Sequence, residues 1–187
     1  MSINVINRIY LGQIGRVPVI EQHEKLSYLN EHISYEVIML NYTFMRVMTF
    51  KASTAEDELE RNAFLEAFGV HAWNLVEFLS KKVRKNDRNA SDYIPSFEPP
   101  DGKPIEQALL RLQKQILRVT TLQKTDPRGK FNVTNARELY AWIVPAILKF
   151  QGALSAENRT ELNSRGQIET LLASPVNTYD GNQEDVS

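Results

Sequence analysis

The stretch of residues 58–82 constrains the fold of this chain more than any other. Its sequence, ELERNAFLEAFGVHAWNLVEFLSKK, is apolar over most of the circumference of a helix. At about 100° per residue, five of its side chains fall in one narrow sector: Phe64, Phe68, His71, Leu75 and Phe78. The charged residues Glu66 and Glu77 fall on the opposite side. The pattern predicts a long core helix that carries one imidazole inside its most apolar stripe.

Periodicity also predicts a long helix before this one. Apolar residues recur at three- and four-residue steps from about Pro18 to Phe50. The second helix is expected to begin after Ser53 or Thr54, whose hydroxyls can cap its free amide groups, and to end near Val83. Because the linker between the two helices is short, they are expected to form an antiparallel hairpin.

Two further helices are expected after a proline-rich crossover. Residues 84–104 contain four prolines and little periodicity, which predicts a connection across the end of a bundle. A third helix is expected from Pro104 to near Lys124. A fourth is expected from about Thr134 to Leu154, with a kink or break near Val144 because Pro145 removes a backbone donor.

The predicted fold is therefore all-α: an antiparallel bundle of four main helices with a Pro-rich crossover and a short C-terminal helix. Residues 1–17 are expected to form an N-terminal extension and residues 18–154 the bundle domain. Residues 155–173 are expected to hold the short C-terminal helix, packed through Ile168, Leu171 and Leu172, and residues 174–187 a disordered tail.

Composition excludes several classes of function. Twenty-two Lys and Arg against 23 Asp and Glu give a net charge of -1, so no global field favours nucleic acid, and a nucleic-acid role would need a local patch. The absence of cysteine excludes a disulfide scaffold and thiolate metal sites. No run reaches the ~18 to 20 apolar residues of a membrane span, so no membrane association and a cytoplasmic location are expected.

His71 is the one candidate for catalysis, and it has two interpretations. An imidazole can act as a general base, a metal ligand or an anion contact. A lone histidine on an apolar face can equally be a core residue that is hydrogen-bonded to a facing group. Asn74 lies three residues further on and about 60° around the helix, so the two are expected to share a polar pocket with a residue from another helix.

A metal site is the enzymatic alternative. His23, His32 and His71 are the only histidines. Carboxylate-bridged di-iron bundles need Glu-x-x-His on two helices, and that spacing is missing here. His32 and Glu36 are expected to form a surface pair on the flank of the first helix. No metal or cofactor is therefore predicted, although a three-histidine site stays open.

Two arginines of the third helix form a candidate anion site. Arg111 and Arg118 are seven residues apart, which places them on one flank of the third helix with an axial separation of roughly 10 Å. Two guanidinium groups on one ridge can bind phosphate or carboxylate through bidentate hydrogen bonds. They can also be ordinary surface side chains with apolar stems packed along the helix.

Parts of two helices resemble a known family. The second helix and the polar loop after it are similar to uncharacterised bacterial all-helical proteins related to HEPN domains, in segments Phe64–Phe68, His71–Leu75 and Ala90–Tyr93 and at Asp87. HEPN ribonucleases carry an arginine and a histidine separated by four to six residues and paired across a dimer interface. Here Arg111 matches the arginine, and Arg118 stands at the position of the histidine, with six residues between them.

The resemblance implies a homodimer with a degenerate cleavage motif. Arginine cannot exchange protons near neutrality, so Arg118 cannot replace the histidine as general acid or base, but it can bind phosphate. The predicted function is a non-catalytic binding or regulatory module associated with RNA or nucleotide phosphate. Two alternatives stay open: an enzyme, either a ribonuclease that uses His71 or a metal-dependent hydrolase, and a structural protein-protein interaction domain.

Overall fold

The computed structural model describes residues 17–80, 88–117 and 130–173, and the regular elements in these ranges are all helical. The all-α prediction is confirmed. Several predicted features lie outside the described residues. They are most of the N-terminal extension, the end of the second helix at Val83, the end of the third helix at Lys124, the side chain of Arg118, and the tail of residues 174–187.

The predicted first helix is one continuous helical run with a π segment inside it. Helix α1 spans Val17–Tyr28, the π segment spans Leu29–Ile33, and α2 spans Ser34–Thr49. The backbone N–H of Ser34 donates to the carbonyl of Leu29, five residues back. The π segment was not predicted, because one i→i+5 turn does not interrupt an apolar pattern of three- and four-residue steps.

The second predicted helix is α3, Ala55–Leu79, and it begins where the sequence indicates. The hydroxyl of Thr54 accepts a hydrogen bond from the backbone N–H of Asp57, and the Asp57 carboxylate accepts one from the backbone N–H of Thr54. This reciprocal capping box satisfies amide groups that would otherwise lack partners, so it fixes the first turn.

The third and fourth predicted helices are α4 and α5. A 3₁₀ turn at Lys103–Ile105 leads into α4, Glu106–Leu112, which continues as a second π segment, Gln113–Leu117. Helix α5 spans Val133–Ala153 and is capped by Asn132. It runs through Pro145 without interruption, so the break that was expected near Val144 does not occur, while the kink stays a prediction.

Contacts between side chains show in which direction each helix runs relative to its neighbours. Glu36 contacts His71 and Arg46 contacts Glu60, so α2 and α3 run in opposite directions. The contacts of α2 with α5 also run in opposite order, from Asn41 with Tyr140 to Met48 with Arg137. Since α3 and α5 are each antiparallel to α2, they are parallel to each other, and the ring of Phe78 lies 5.1 Å from that of Phe150.

The described part of the crossover packs along α5 instead of only reaching across the end of the bundle. The indole N–H of Trp142 donates to the carbonyl of Asp101 at 2.8 Å, and the Lys149 ammonium donates to the carbonyl of Glu98 at 2.8 Å. The ring of Phe97 meets that of Phe150 edge to face. Aromatic side chains in this segment bury apolar area against α5, which gives the crossover a fixed path.

Residues 155–173 form two short helices where the sequence predicted one. The predicted helix is α7, Ile168–Leu172, and an additional helix, α6, spans Ala156–Leu162. The buried side chains of Leu162, Ile168 and Leu172 belong to the same core as the long helices. This C-terminal region is therefore part of the bundle.

Aromatic contacts between α2, α3 and α5 form the centre of the core. The rings of Phe44 and Tyr140 stack at 3.9 Å, and the ring of Phe44 lies 5.7 Å from that of Phe68. The Tyr140 hydroxyl donates to Asn41 Oδ1 at 2.7 Å. Burial raises the pKa of Tyr140 to about 12. The buried hydroxyl of Tyr140 thus has its hydrogen-bond partner on α2, and this bond fixes the pairing of α2 with α5.

The cap of α3 should make stability depend on pH in the acid range. Hydrogen bonds from the Ser53 hydroxyl, the Ser53 backbone and Thr54 lower the pKa of Asp57 to about 2. Because this pKa lies below the value of about 3.9 expected in the unfolded chain, the stabilisation is complete above that value and is lost as pH falls towards 2. Urea unfolding of wild type and Asp57→Asn should differ at pH 7 and converge near pH 2.

Glu66→Gln, at an exposed position of the same helix, is the matched control and should change the unfolding free energy by less than about 0.5 kcal/mol. A difference between wild type and Asp57→Asn that stays constant across this pH range would show that the cap does not depend on the Asp57 carboxylate.

Candidate functional site

A carboxylate on α2 faces the candidate histidine on α3. Glu36 Oε2 lies 2.6 Å from His71 Nδ1, and the two side chains are 17% and 12% exposed. Antiparallel packing of α2 on α3 brings the two residues together although they are 35 positions apart in the chain. The imidazole therefore lies at the edge of the core, where the Glu36 carboxylate is its hydrogen-bond partner.

Asn74 completes the cluster. Its side-chain N–H donates to Glu36 Oε1 at 3.0 Å, so the two carboxylate oxygens accept from two different residues of α3. The predicted polar pocket that joins His71 and Asn74 to a residue of another helix is present, and the third residue is Glu36. The expected surface pair of His32 with Glu36 is wrong, because the Glu36 carboxylate turns to α3 instead.

The short contact between His71 and Glu36 relates their proton positions. When the Glu36 carboxylate is ionised it has no proton to donate, so His71 Nδ1 is then the donor and Glu36 Oε2 the acceptor. In the neutral imidazole, Nε2 is then the proton acceptor. The ring of Tyr35 meets the His71 ring edge to face, with centroids 5.8 Å apart. The cluster therefore contains an oriented imidazole with an aromatic side chain beside it.

The other two histidines do not join this cluster. His32 is exposed, and its ring lies 4.9 Å from that of Tyr28. His23 is an exposed residue of α1. Within residues 17–80, 88–117 and 130–173, no group of three or more His, Asp or Glu side chains could hold a metal ion. The described residues thus offer no support for the three-histidine alternative.

Arg111 lies at a second polar contact, at the beginning of α5. Its Nη1 donates to Asn135 Oδ1 at 3.3 Å. Asn135 is buried, and together with Asn132 it forms the capping box of α5. The same Asn135 donates to Glu138. The half-buried Arg111 therefore links α4 to the first turn of α5.

The predicted alignment of Arg111 with Arg118 depended on an uninterrupted helix. The π segment Gln113–Leu117 lies between the two positions. Arg118 itself lies outside the described residues, so its alignment with Arg111 stays a prediction.

Arg111 and His71 belong to different levels of the bundle. Phe78 packs against Phe150, and α3 and α5 run in the same direction. His71 precedes Phe78 by seven residues, whereas Asn135, the partner of Arg111, precedes Phe150 by fifteen. At a rise of 1.5 Å per residue, the two sites differ by about 12 Å along the bundle axis. His71 and Asn74 are thus brought together, and Arg111 is not brought to them.

None of the described helices combines the length and the hydropathy that a membrane span requires. Comparison of the chain with protein-family models, with curated proteins and with solved structures finds no match.

The hydrogen-bonded cluster should contribute measurably to stability. His71→Ala leaves the partly buried Glu36 with one of its two partners, and the expected loss is roughly 1 to 3 kcal/mol of unfolding free energy. Glu36→Gln should cost a similar amount, and the double variant should lose much less than the sum of the two. Urea unfolding of the four proteins measures this coupling.

His32→Ala, which removes an exposed imidazole one turn before Glu36, is the matched control and should cost less than about 0.5 kcal/mol. Strictly additive losses from His71→Ala and Glu36→Gln would show that the contact between them contributes nothing to folding.

Proposed function

We propose that this chain is a non-catalytic helical binding module, related in its arrangement to HEPN domains, that binds a phosphate-bearing ligand such as RNA or a nucleotide. A cytoplasmic location belongs to the same proposal. The proposal rests on what the candidate side chains contact in the fold, since no relative supplies a function.

One observation carries the non-catalytic part of the proposal: both oxygens of Glu36 accept hydrogen bonds from the candidate residues His71 and Asn74. The polar groups that could do chemistry are thus used to join α2 to α3. A general base needs a reacting group within hydrogen-bond reach. Among the described residues, the groups at His71 are the Glu36 carboxylate, the Asn74 amide bonded to it and the ring of Tyr35, none of which is an activated nucleophile.

The position of Arg111 supports phosphate as the ligand. The backbone N–H groups at the beginning of α5 give that end of the helix a partial positive charge. Arg111 adds a full positive charge to it, through a side chain that donates one hydrogen bond to Asn135 and has five N–H groups in all. Helix N-termini and guanidinium groups are both common phosphate ligands.

The described surface as a whole does not attract anions. Acidic side chains outnumber basic ones in residues 17–80, 88–117 and 130–173, and the Glu138 carboxylate accepts from the same Asn135 that Arg111 contacts. Phosphate binding therefore requires a local group of basic side chains. Because Arg118 lies outside the described residues, Arg111 is the residue on which the phosphate proposal depends.

A ribonuclease that uses His71 is the second candidate, and one observation favours it. With Glu36 ionised, Nδ1 of the imidazole donates to its carboxylate, and Nε2 of the neutral ring is then free to accept a proton. Carboxylate-oriented imidazoles act as general bases in several enzyme classes. The same RNA experiment separates the two candidates.

The RNA experiment compares wild type, Arg111→Ala, Arg111→Ala with Arg118→Ala, and His71→Ala. We expect RNA binding that weakens as salt rises, and a salt dependence that is shallower by about one released ion in Arg111→Ala, because one phosphate contact is lost. We expect intact RNA after incubation with every protein. Fluorescence anisotropy at two salt concentrations and gel analysis of the same samples provide both readouts.

Arg165→Ala, at an exposed arginine of the turn between α6 and α7, is the charge-matched control and should bind RNA as wild type does. Equal binding by wild type and Arg111→Ala, or no binding of RNA or nucleotide by either, contradicts the phosphate proposal. Cleavage by wild type that is absent in His71→Ala contradicts the non-catalytic proposal and favours the ribonuclease.

A further inference from the structure

Two buried side-chain oxygens lack a hydrogen-bond partner among the described residues. They are the hydroxyl Oγ of Ser34, the first residue of α2, and the amide Oε1 of Gln151, near the end of α5. Ser34 is 0% exposed and Gln151 is 1% exposed. Burial of a polar group without a partner is costly, so nearly all such groups in folded proteins bond to protein or to ordered water.

The π segment explains why the Ser34 hydroxyl has no partner in its own helix. The hydroxyls of Thr43, Thr49 and Thr160 each donate to the backbone carbonyl four residues back. Ser34 directly follows the π segment, and its backbone N–H reaches five residues back to Leu29. The wider π turn moves aside the carbonyl that a hydroxyl uses in an α-helix. The Ser34 hydroxyl is therefore available to a partner outside α2.

The orientation of the Gln151 amide is fixed by its neighbour. Gln151 Nε2 donates to Asn163 Oδ1 at 3.1 Å, and the backbone N–H of Ile168 donates to the same Oδ1 at 3.2 Å. Because a backbone N–H can only donate, the atom of Asn163 at this position is its oxygen, and the atom of Gln151 that faces it is a nitrogen. Gln151 Oε1 is therefore an acceptor that needs a donor from elsewhere.

The packing of α2 on α5 brings the two oxygens to the same part of the bundle. Ser34, Asn41 and Met48 follow one flank of α2 at steps of seven residues, and the last two contact α5. Extended along the antiparallel helices, these two contacts place Ser34 level with Gln151 or one turn before it. Gln151 lies eleven residues, about three turns, after Tyr140, so it is on the face of α5 that meets α2.

Contacts of the C-terminal helices place Gln151 in the same region. Asn30, inside the π segment, donates to Glu161 and accepts from Arg165. Asn163, the partner of Gln151, lies between these two residues in the chain. The turn that binds Gln151 therefore packs against the segment that leads directly into α2.

We propose that Ser34 Oγ and Gln151 Oε1 form the binding site of one ordered water molecule, buried between α2, α5 and the turn after α6. The water donates one hydrogen bond to Gln151 Oε1 and is also the partner of the Ser34 hydroxyl. Buried waters bind otherwise unpaired polar groups in this way. The resulting chain of hydrogen bonds continues through Asn163 to the backbone of Ile168, so it links the π segment to α5 and α7.

A crystal structure of the full wild-type chain, at a resolution that shows ordered waters, tests the site directly. We expect electron density for one water within about 3 Å of both Ser34 Oγ and Gln151 Oε1. This measurement needs no variant, so it decides the proposal even if substitutions in the core prevent folding.

Urea unfolding of Ser34→Ala, Gln151→Met and the double variant tests the site in solution. Each single change removes one partner of the water and should raise the equilibrium constant for unfolding about tenfold. Because both changes act on the same water, the double variant should raise it by far less than the product of the two single effects. Thr43→Val is the matched control, since this buried hydroxyl has its own partner in the Met39 carbonyl. Its effect and that of Gln151→Met should multiply.

Three results would overturn the proposal. A direct hydrogen bond between the two oxygens shows that no water is needed. A Ser34 hydroxyl that donates to a backbone carbonyl, or a water that reaches only one of the two oxygens, shows that they do not share a site. Effects of Ser34→Ala and Gln151→Met that multiply in the double variant show the same in solution. None of these results bears on RNA binding by Arg111.

Discussion

The carboxylate of Glu36 occupies the contact on which the arrangement of α2 and α3 depends. Both of its oxygens accept hydrogen bonds from α3, one from His71 and one from Asn74. Hydrogen bonds to a charged acceptor are stronger than neutral ones, and the bond from His71 is partly buried, so its loss is costly. The contact therefore fixes the register of the two helices, and with it the positions of the aromatic residues between them.

Helix α2 contacts most other parts of the molecule because its faces have separate roles. One face supplies Phe44 to the aromatic centre of the core, where it stacks on Tyr140. The flank towards α3 carries Glu36, and Tyr35 on the same flank meets the His71 ring. The anion site proposed at Arg111 lies on a different part of the bundle.

Local features of the fold were predictable from the sequence, and features that depend on register were not. Helix boundaries were predictable because caps such as Thr54 act within four residues. The partner of His71 was missed, although the linker between α2 and α3 gave a signal: residues 36 and 71 lie 16 and 19 positions from its centre at residue 52, so an antiparallel hairpin places them at a similar level. The pairing of Glu36 with His32 was preferred because it is local.

Other features left weaker signals. The π segments change which residues share a flank without changing the apolar spacing, so they left no signal in the sequence. Helix α6 was missed because its sequence is mostly polar and its burial depends on Leu162. The path of the crossover depends on where α5 offers Phe150 as a packing surface, which only the tertiary structure defines.

The central claim is that Glu36 holds the His71 imidazole through Nδ1, and NMR of the imidazole nitrogens tests it most directly. Long-range proton-nitrogen correlation of selectively labelled protein reports which nitrogen carries the proton. We predict that the neutral imidazole of His71 carries its proton on Nδ1, and that this preference is lost in Glu36→Leu, which has no hydrogen-bond acceptor. A neutral His71 with its proton on Nε2, and no change in Glu36→Leu, would contradict the account.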